Sequence, residues 1–227
     1  MIQQLLKVVS ETCQKIDTLK DERGWRTKPD TQYLVIPYVW HAMKCAETGL
    51  GLFQDAHFGP AGVLARVALE HATYARWLAT VENALVLHEA NIEYFRKTFG
   101  KDFVDRFEGK VEECRIAEVK SHEYGDRAPL PTKRIFDALG FEEDLFVPWR
   151  VVTQFIHPSD YFVDIFWGWS AGEETPTGIH DHKAIVWKIL ADAIVIALDA
   201  FAITQRDDEA KILAESLYPE VGIIPTA

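Results

Sequence analysis

Positive charge is in short supply. The chain's 24 lysines and arginines face 35 acidic residues, a net charge of -11, which excludes a broad electropositive surface and indiscriminate binding of duplex DNA, leaving room only for a small local basic cleft. Cysteine is also sparse. Cys13, Cys45 and Cys114 are odd in number, widely spaced and free of any Cys-Xaa-Xaa-Cys pair, so no zinc or redox framework is expected and a reducing cytoplasm fits best. Long apolar runs are missing too. The N-terminal MIQQLLKVVSETCQKIDTLK carries polar residues inside every apolar stretch, and the most apolar segment, Ala184 to Ile203, is broken by Lys188, Asp192 and Asp199; neither a signal peptide nor a membrane span is predicted. A Gly-rich phosphate loop, a Gly-Xaa-Ser-Xaa-Gly elbow and a Glu-Xaa-Xaa-His pair are all absent, so nucleotide hydrolases, serine hydrolases and di-iron bundles of familiar design have no support.

Strictly alternating segments are scarce, whereas apolar residues recur every three or four positions through nearly every long stretch. This periodicity predicts an all-α, single-domain helical bundle over residues 1–227, with an N-terminal helix and polar linker (1–30), a core bundle (31–206) and a short C-terminal helix with a tail (207–227). The expected helices run near 2–20, 33–54, 60–80, 82–98, 101–122, 132–139, from Pro148 to Pro158, 182–206 and 208–217. Pro37 is placed in or near the first turn of its helix, and Pro148 at the start of its own. The helices at 33–54, 60–80 and 182–206 are expected to form the centre, the last because it is apolar on most of its circumference.

Two constellations could carry chemistry. Arg66 and Glu70 lie four apart, with Thr73 and Trp77 on nearly the same stripe, so their side chains can meet. The plain reading is a surface ion pair; the functional one is a guanidinium fixed among aromatics and offered to an anion. Further on, WRVVTQFIHPSD places Arg150 and His157 seven apart and therefore on one helix face, with Thr153 between them and Asp160 three residues past the histidine. An arginine on phosphate and an imidazole titrating near neutrality suit cleavage of RNA by its own 2'-hydroxyl. The alternative is a histidine that caps a helix end, with Asp160 orienting or charge-balancing it under either reading.

The Arg66-Xaa3-Glu70 helix followed far downstream by Thr153-Xaa3-His157-Pro158 resembles an uncharacterised family of bacterial all-helical proteins, over residues 30–205. The Arg150-Xaa6-His157 spacing also resembles the motif of the HEPN superfamily. That resemblance implies a HEPN-like bundle that dimerises and acts as a metal-independent endoribonuclease in a bacterial defence or toxin-antitoxin setting. Arg150 and His157 are then catalytic, Arg66, Glu70, Thr153 and Asp160 are supporting residues, and the partners are RNA, a second copy and a cognate antitoxin or regulatory protein. Six intervening residues is the long limit of that motif, and Val151 stands where a polar residue is common. The alternative from a different class is a non-catalytic binding or regulatory bundle whose Arg66, Glu70 and His157 hold helices together or grip a small anionic ligand.

No complete metal set stands out, and no cofactor is expected. His180, Asp181 and His182 are adjacent residues that point different ways, which favours Asp181 as a helix cap and solvent exposure for the histidines. His41 and Cys45, four apart, need two further ligands. Asp192 and Asp199 align with Lys188 as a narrow wet stripe; if buried, they require cations, for which Arg66 and Arg150 are the candidates.

Overall fold

The computed structural model describes residues 1–23, 31–91, 132–153 and 182–221. The expected helix at 101–122, the loop from His122 to Pro131, the aromatic stretch Tyr161 to Trp169 and the residues Cys114, His157, Asp160, His180 and Asp181 lie outside them. Within the described residues every regular element is a helix: α1 (Ile2–Arg23), α2 (Thr31–Gln54), α3 (Phe58–Thr80), α4 (84–91, where the described stretch ends), α5 (Thr132–Ala138), α6 (Glu142–Thr153), α7 (His182–Gln205) and α8 (Asp208–Val221).

Helices α2, α3 and α7 pack on one another as the centre, α1 and α8 flank α7, and α5 and α6 lie against α3. The sequence explains this layering. Along α7 the run from Ile189 to Ala202 is buried at every position, including Asp192 and Asp199, as a helix apolar on all sides must be. On α3 the buried line is alanine: Ala61, Ala65, Ala68, Ala72 and Ala75 are all fully inaccessible. Such small side chains let its neighbours approach closely.

Two glycines of α2 separate packing from propensity. A Cβ placed on Gly49 would meet Leu190 Cδ2 at 2.6 Å, whereas one on Gly51 has nothing within 4 Å. Gly51→Ala should therefore stabilise the fold by about 0.5–1 kcal/mol, the helix-propensity gain alone. Gly49→Ala brings the same gain but pushes into the fully buried Leu190, at a cost of about 1–3 kcal/mol. Urea midpoints should rank Gly51→Ala above both the wild type and Gly49→Ala.

The turns have a common construction. After α5, Gly140 takes φ 70°, with the Phe141 amide donating to Phe136 O at 2.9 Å and the Gly140 amide to Asp137 O at 3.1 Å, a Schellman closure. Phe136 and Phe141 are both fully buried beside it. This corner corrects the expected start of α6. Burial of Phe141 and Leu145 begins the helix at Glu142, so Pro148 falls inside it rather than opening it and removes one hydrogen bond mid-helix. Pro37 likewise lies inside α2, past its first turn, because α2 begins at Thr31. At the other end, α8 continues past the expected 217 to Val221, since Leu217, Tyr218 and Val221 are buried.

Candidate functional site

Helices α3, α5 and α6 assemble a linked set of cations and rings. Arg66 Nε donates to Glu70 Oε1 at 2.8 Å, and the same oxygen accepts the Trp149 indole N–H at 2.8 Å. The Arg66 guanidinium lies 5.5 Å from the Trp149 ring centroid. Trp149 stacks on Phe146 at 5.9 Å and 25°, one helical turn back on α6. The opposite end of the stack is cationic again, with Arg150 Cζ 5.8 Å and Lys133 Nζ 5.5 Å from the Phe146 centroid. Phe136, edge-on to Trp149 at 6.0 Å, holds the stack from the α5 side.

The structure thus joins the Arg66–Glu70 pair to the helix that bears Arg150, and the joint is Trp149. Trp77, on the same stripe as the pair, and its neighbour Tyr74 are not the rings that wall it. Trp77 is instead buried and Tyr74 turns toward α4. The available signal was the three-residue spacing of Phe146 and Trp149, which puts them on one face next to Arg150. Among the described residues no carboxylate pairs with Arg150, which is exposed at the end of α6. Thr153 is spent locally, its hydroxyl donating to Trp149 O at 2.7 Å. His157 and Asp160, which complete the sequence motif, lie outside the described residues.

A second polar cluster sits between α2, α3 and α4. Tyr38 packs on Tyr74 at 4.9 Å and on His71 at 5.8 Å, and His41 meets His71 edge-on at 4.4 Å. His71 Nδ1–H donates to Val67 O at 2.8 Å. The Tyr74 hydroxyl and His88 Nδ1 share a hydrogen bond of 2.9 Å, while the buried His88 Nε2 has no hydrogen-bond partner among the described residues. Burial holds both imidazoles below the usual histidine range, opposed in part by the His71–Val67 bond and by Glu89 near His88. Burial also raises Tyr38 and Tyr74. These are neutral groups, suited to packing and hydrogen bonding more than to proton exchange at pH 7. Cys45 Sγ lies 3.9 Å from His41 Nδ1, yet among the described residues no three His, Cys, Asp or Glu side chains stand close enough to hold a metal ion.

The acidic stripe of α7 is not wet. Asp192 is fully buried and pairs with Lys188 at 2.7 Å; Asp199 pairs with Arg76 of α3 and accepts the Tyr218 hydroxyl at 3.0 Å. Neither Arg66 nor Arg150 is the partner, because α3 turns its next cationic position, Arg76, onto α7 and α8. His182 is also buried, 3% exposed, rather than solvent-facing, because it stands four and seven residues before the buried Val186 and Ile189 and so shares their inward face, while Lys183 and Ala184 beside it are exposed.

Set against known protein families, curated proteins and solved structures, the chain matches none of them. Among the described residues no helix is long and apolar enough to cross a membrane.

Proposed function

We propose that this all-α protein is a HEPN-like, metal-independent endoribonuclease acting as a homodimer in a bacterial defence or toxin-antitoxin setting. The observation that supports it is the state of Arg150. Its guanidinium is exposed and rests against Phe146, and no carboxylate among the described residues neutralises it. Its planar fork is therefore free for a phosphate. In the proposed reaction, His157 as neutral imidazole takes the proton of the ribose 2'-hydroxyl, and the 2'-oxygen attacks phosphorus. The 5'-oxygen leaves with a proton drawn from water, and His157 returns its proton to the hydroxide so formed, giving a 2',3'-cyclic phosphate and a 5'-hydroxyl end. Arg150 balances the charge gathering on the phosphoryl oxygens.

The test is RNA cleavage by the purified chain in EDTA, with end-group analysis. Arg150→Ala and His157→Ala should each lower cleavage at least 100-fold while leaving the helical spectrum unchanged. A wild-type chain inert toward structured and unstructured RNAs would sink the enzyme.

One observation favours the alternative of a non-catalytic binding bundle. Glu70 Oε1 takes bonds from both Arg66 and Trp149, which ties α3 to α6 whether or not anything is cleaved. On that reading Glu70→Gln loosens α6 with no activity to lose.

A further inference from the structure

The stack of Arg66, Trp149, Phe146, Arg150 and Lys133 is more than a support for one arginine. Each link is under 6 Å, within the range where a ring face attracts a cation. A ring balances charge without consuming N–H donors, so a cation held this way keeps those donors for other partners, with the Arg66 side chain 20% exposed. Arg66 commits only Nε to a carboxylate among its described contacts, and Arg150 commits no donor to a carboxylate among the described residues. Lys133 shares its ammonium with Asp137 at 3.3 Å, both side chains more than a third exposed. An exposed pair of that kind is worth well under about 1 kcal/mol and yields readily to a phosphate. In a chain of net charge -11, three cations on one connected strip of aromatic surface mark a local exception.

We propose that this strip is a track that holds a single strand of RNA by its successive phosphates, with Arg66, Arg150 and Lys133 as donors. It rests on the endoribonuclease reading for the choice of RNA over other polyphosphates. A single strand fits better than a duplex for electrostatic reasons. Glu143 is exposed on α6 and Asp137 on α5, and a rigid duplex would press its second phosphate rail against this and the wider acidic surface. A flexible strand can follow the cations alone.

The probe is a labelled single-stranded RNA of about 20 nucleotides with every 2'-hydroxyl methylated, which keeps the phosphates and cannot be cleaved through the 2'-oxygen. Fluorescence anisotropy should show binding to the full chain with a log–log salt slope of about -2, as about three phosphate contacts give on a single strand. Lys133→Glu should weaken binding about tenfold and flatten the slope by about 0.7, while Asp137→Asn, which removes one competing acid, should tighten it. Both positions are exposed, so the fold is not at stake. Binding indifferent to both substitutions would overturn the track. So would equal affinity for duplex RNA, or equally effective competition by inorganic polyphosphate at matched phosphate concentration. Binding with these signatures but no cleavage of ordinary RNA leaves the track standing and removes the nuclease. Cleavage with a probe affinity blind to Lys133 does the reverse.

Discussion

Asp199→Ala is expected to destabilise the fold by about 3–5 kcal/mol, the range for removing one partner of a buried ion pair. Asp199 is 7% and Arg76 14% exposed at the side chain, so solvent offers the orphaned guanidinium little. The pair is braced by Tyr218, whose hydroxyl accepts from Arg76 Nη1 at 2.7 Å and donates to Asp199 at 3.0 Å. Arg76 also lies over the Phe141 and Tyr218 rings, contacts that survive the substitution and place the loss toward the lower end. For a chain of this size the melting temperature should fall by roughly 10 °C. Tyr218→Phe, which removes one hydroxyl, should cost about 1 kcal/mol. The double replacement Arg76→Met with Asp199→Leu should recover most of the loss, because desolvation of the two charges offsets much of their attraction. A double mutant no better than Asp199→Ala would mean that the pair does more than satisfy itself.

Asp192→Asn should act in the opposite sense, and only above acid pH. Burial pushes this carboxyl up from 3.8 to about 7; Lys188 opposes the shift and Asp144 of α6 adds to it. Between pH 4 and 7 the folded chain therefore keeps a proton that the unfolded chain has released. Its contribution is most favourable below about pH 4, declines as pH rises through that window, and is level above about 7. The full span is about 4 kcal/mol at 1.36 kcal/mol per unit. Asparagine preserves the shape and removes the charge, and Lys188, about a third exposed, can turn its ammonium to water. Urea unfolding should show the variant more stable than wild type at pH 8, with the difference shrinking toward pH 4. A gap constant across that range would contradict the assignment.

The helices that make the centre were legible because their causes are local. Periodicity alone marks α2 and α3, and the absence of a polar face marks α7 as interior. The Arg66–Glu70 pair is legible in its four-residue spacing for the same reason; the Lys188–Asp192 pair has that spacing too, but from sequence alone it reads as part of a wet stripe, with Arg66 and Arg150 as the cations if it is buried. What escaped is non-local. Nothing in the sequence near Glu70 announces an indole 79 residues later, and Arg76 reaches Asp199 only once α3 and α7 are packed. Pro148 misled because a rule about local backbone met a tertiary demand, the burial of Phe141 and Leu145, that outweighed one lost hydrogen bond. His182 misled similarly, since a polar residue at a helix start is buried when it falls on the helix's inward face, even where its neighbours Lys183 and Ala184 are exposed. Arg150 stands out by motif; the Phe146 ring beside it stands four residues earlier on the same helix and was legible from that spacing, whereas the contacts of Arg66 with Trp149 and of Lys133 with Phe146 cross between helices and leave no fixed spacing.

The position of α7 in the chain also bears on its manufacture. The α2–α3 hairpin is complete at Thr80, yet the helix that covers its inner face does not end until Gln205. At about 5–20 residues per second the ribosome needs roughly 6–25 s to make the intervening segment. For that interval the alanine line of α3 and the apolar side of α2 emerge without their eventual cover. Such a nascent chain is a candidate for chaperone capture, and a transcript truncated before codon 182 would yield an insoluble product rather than a smaller folded one.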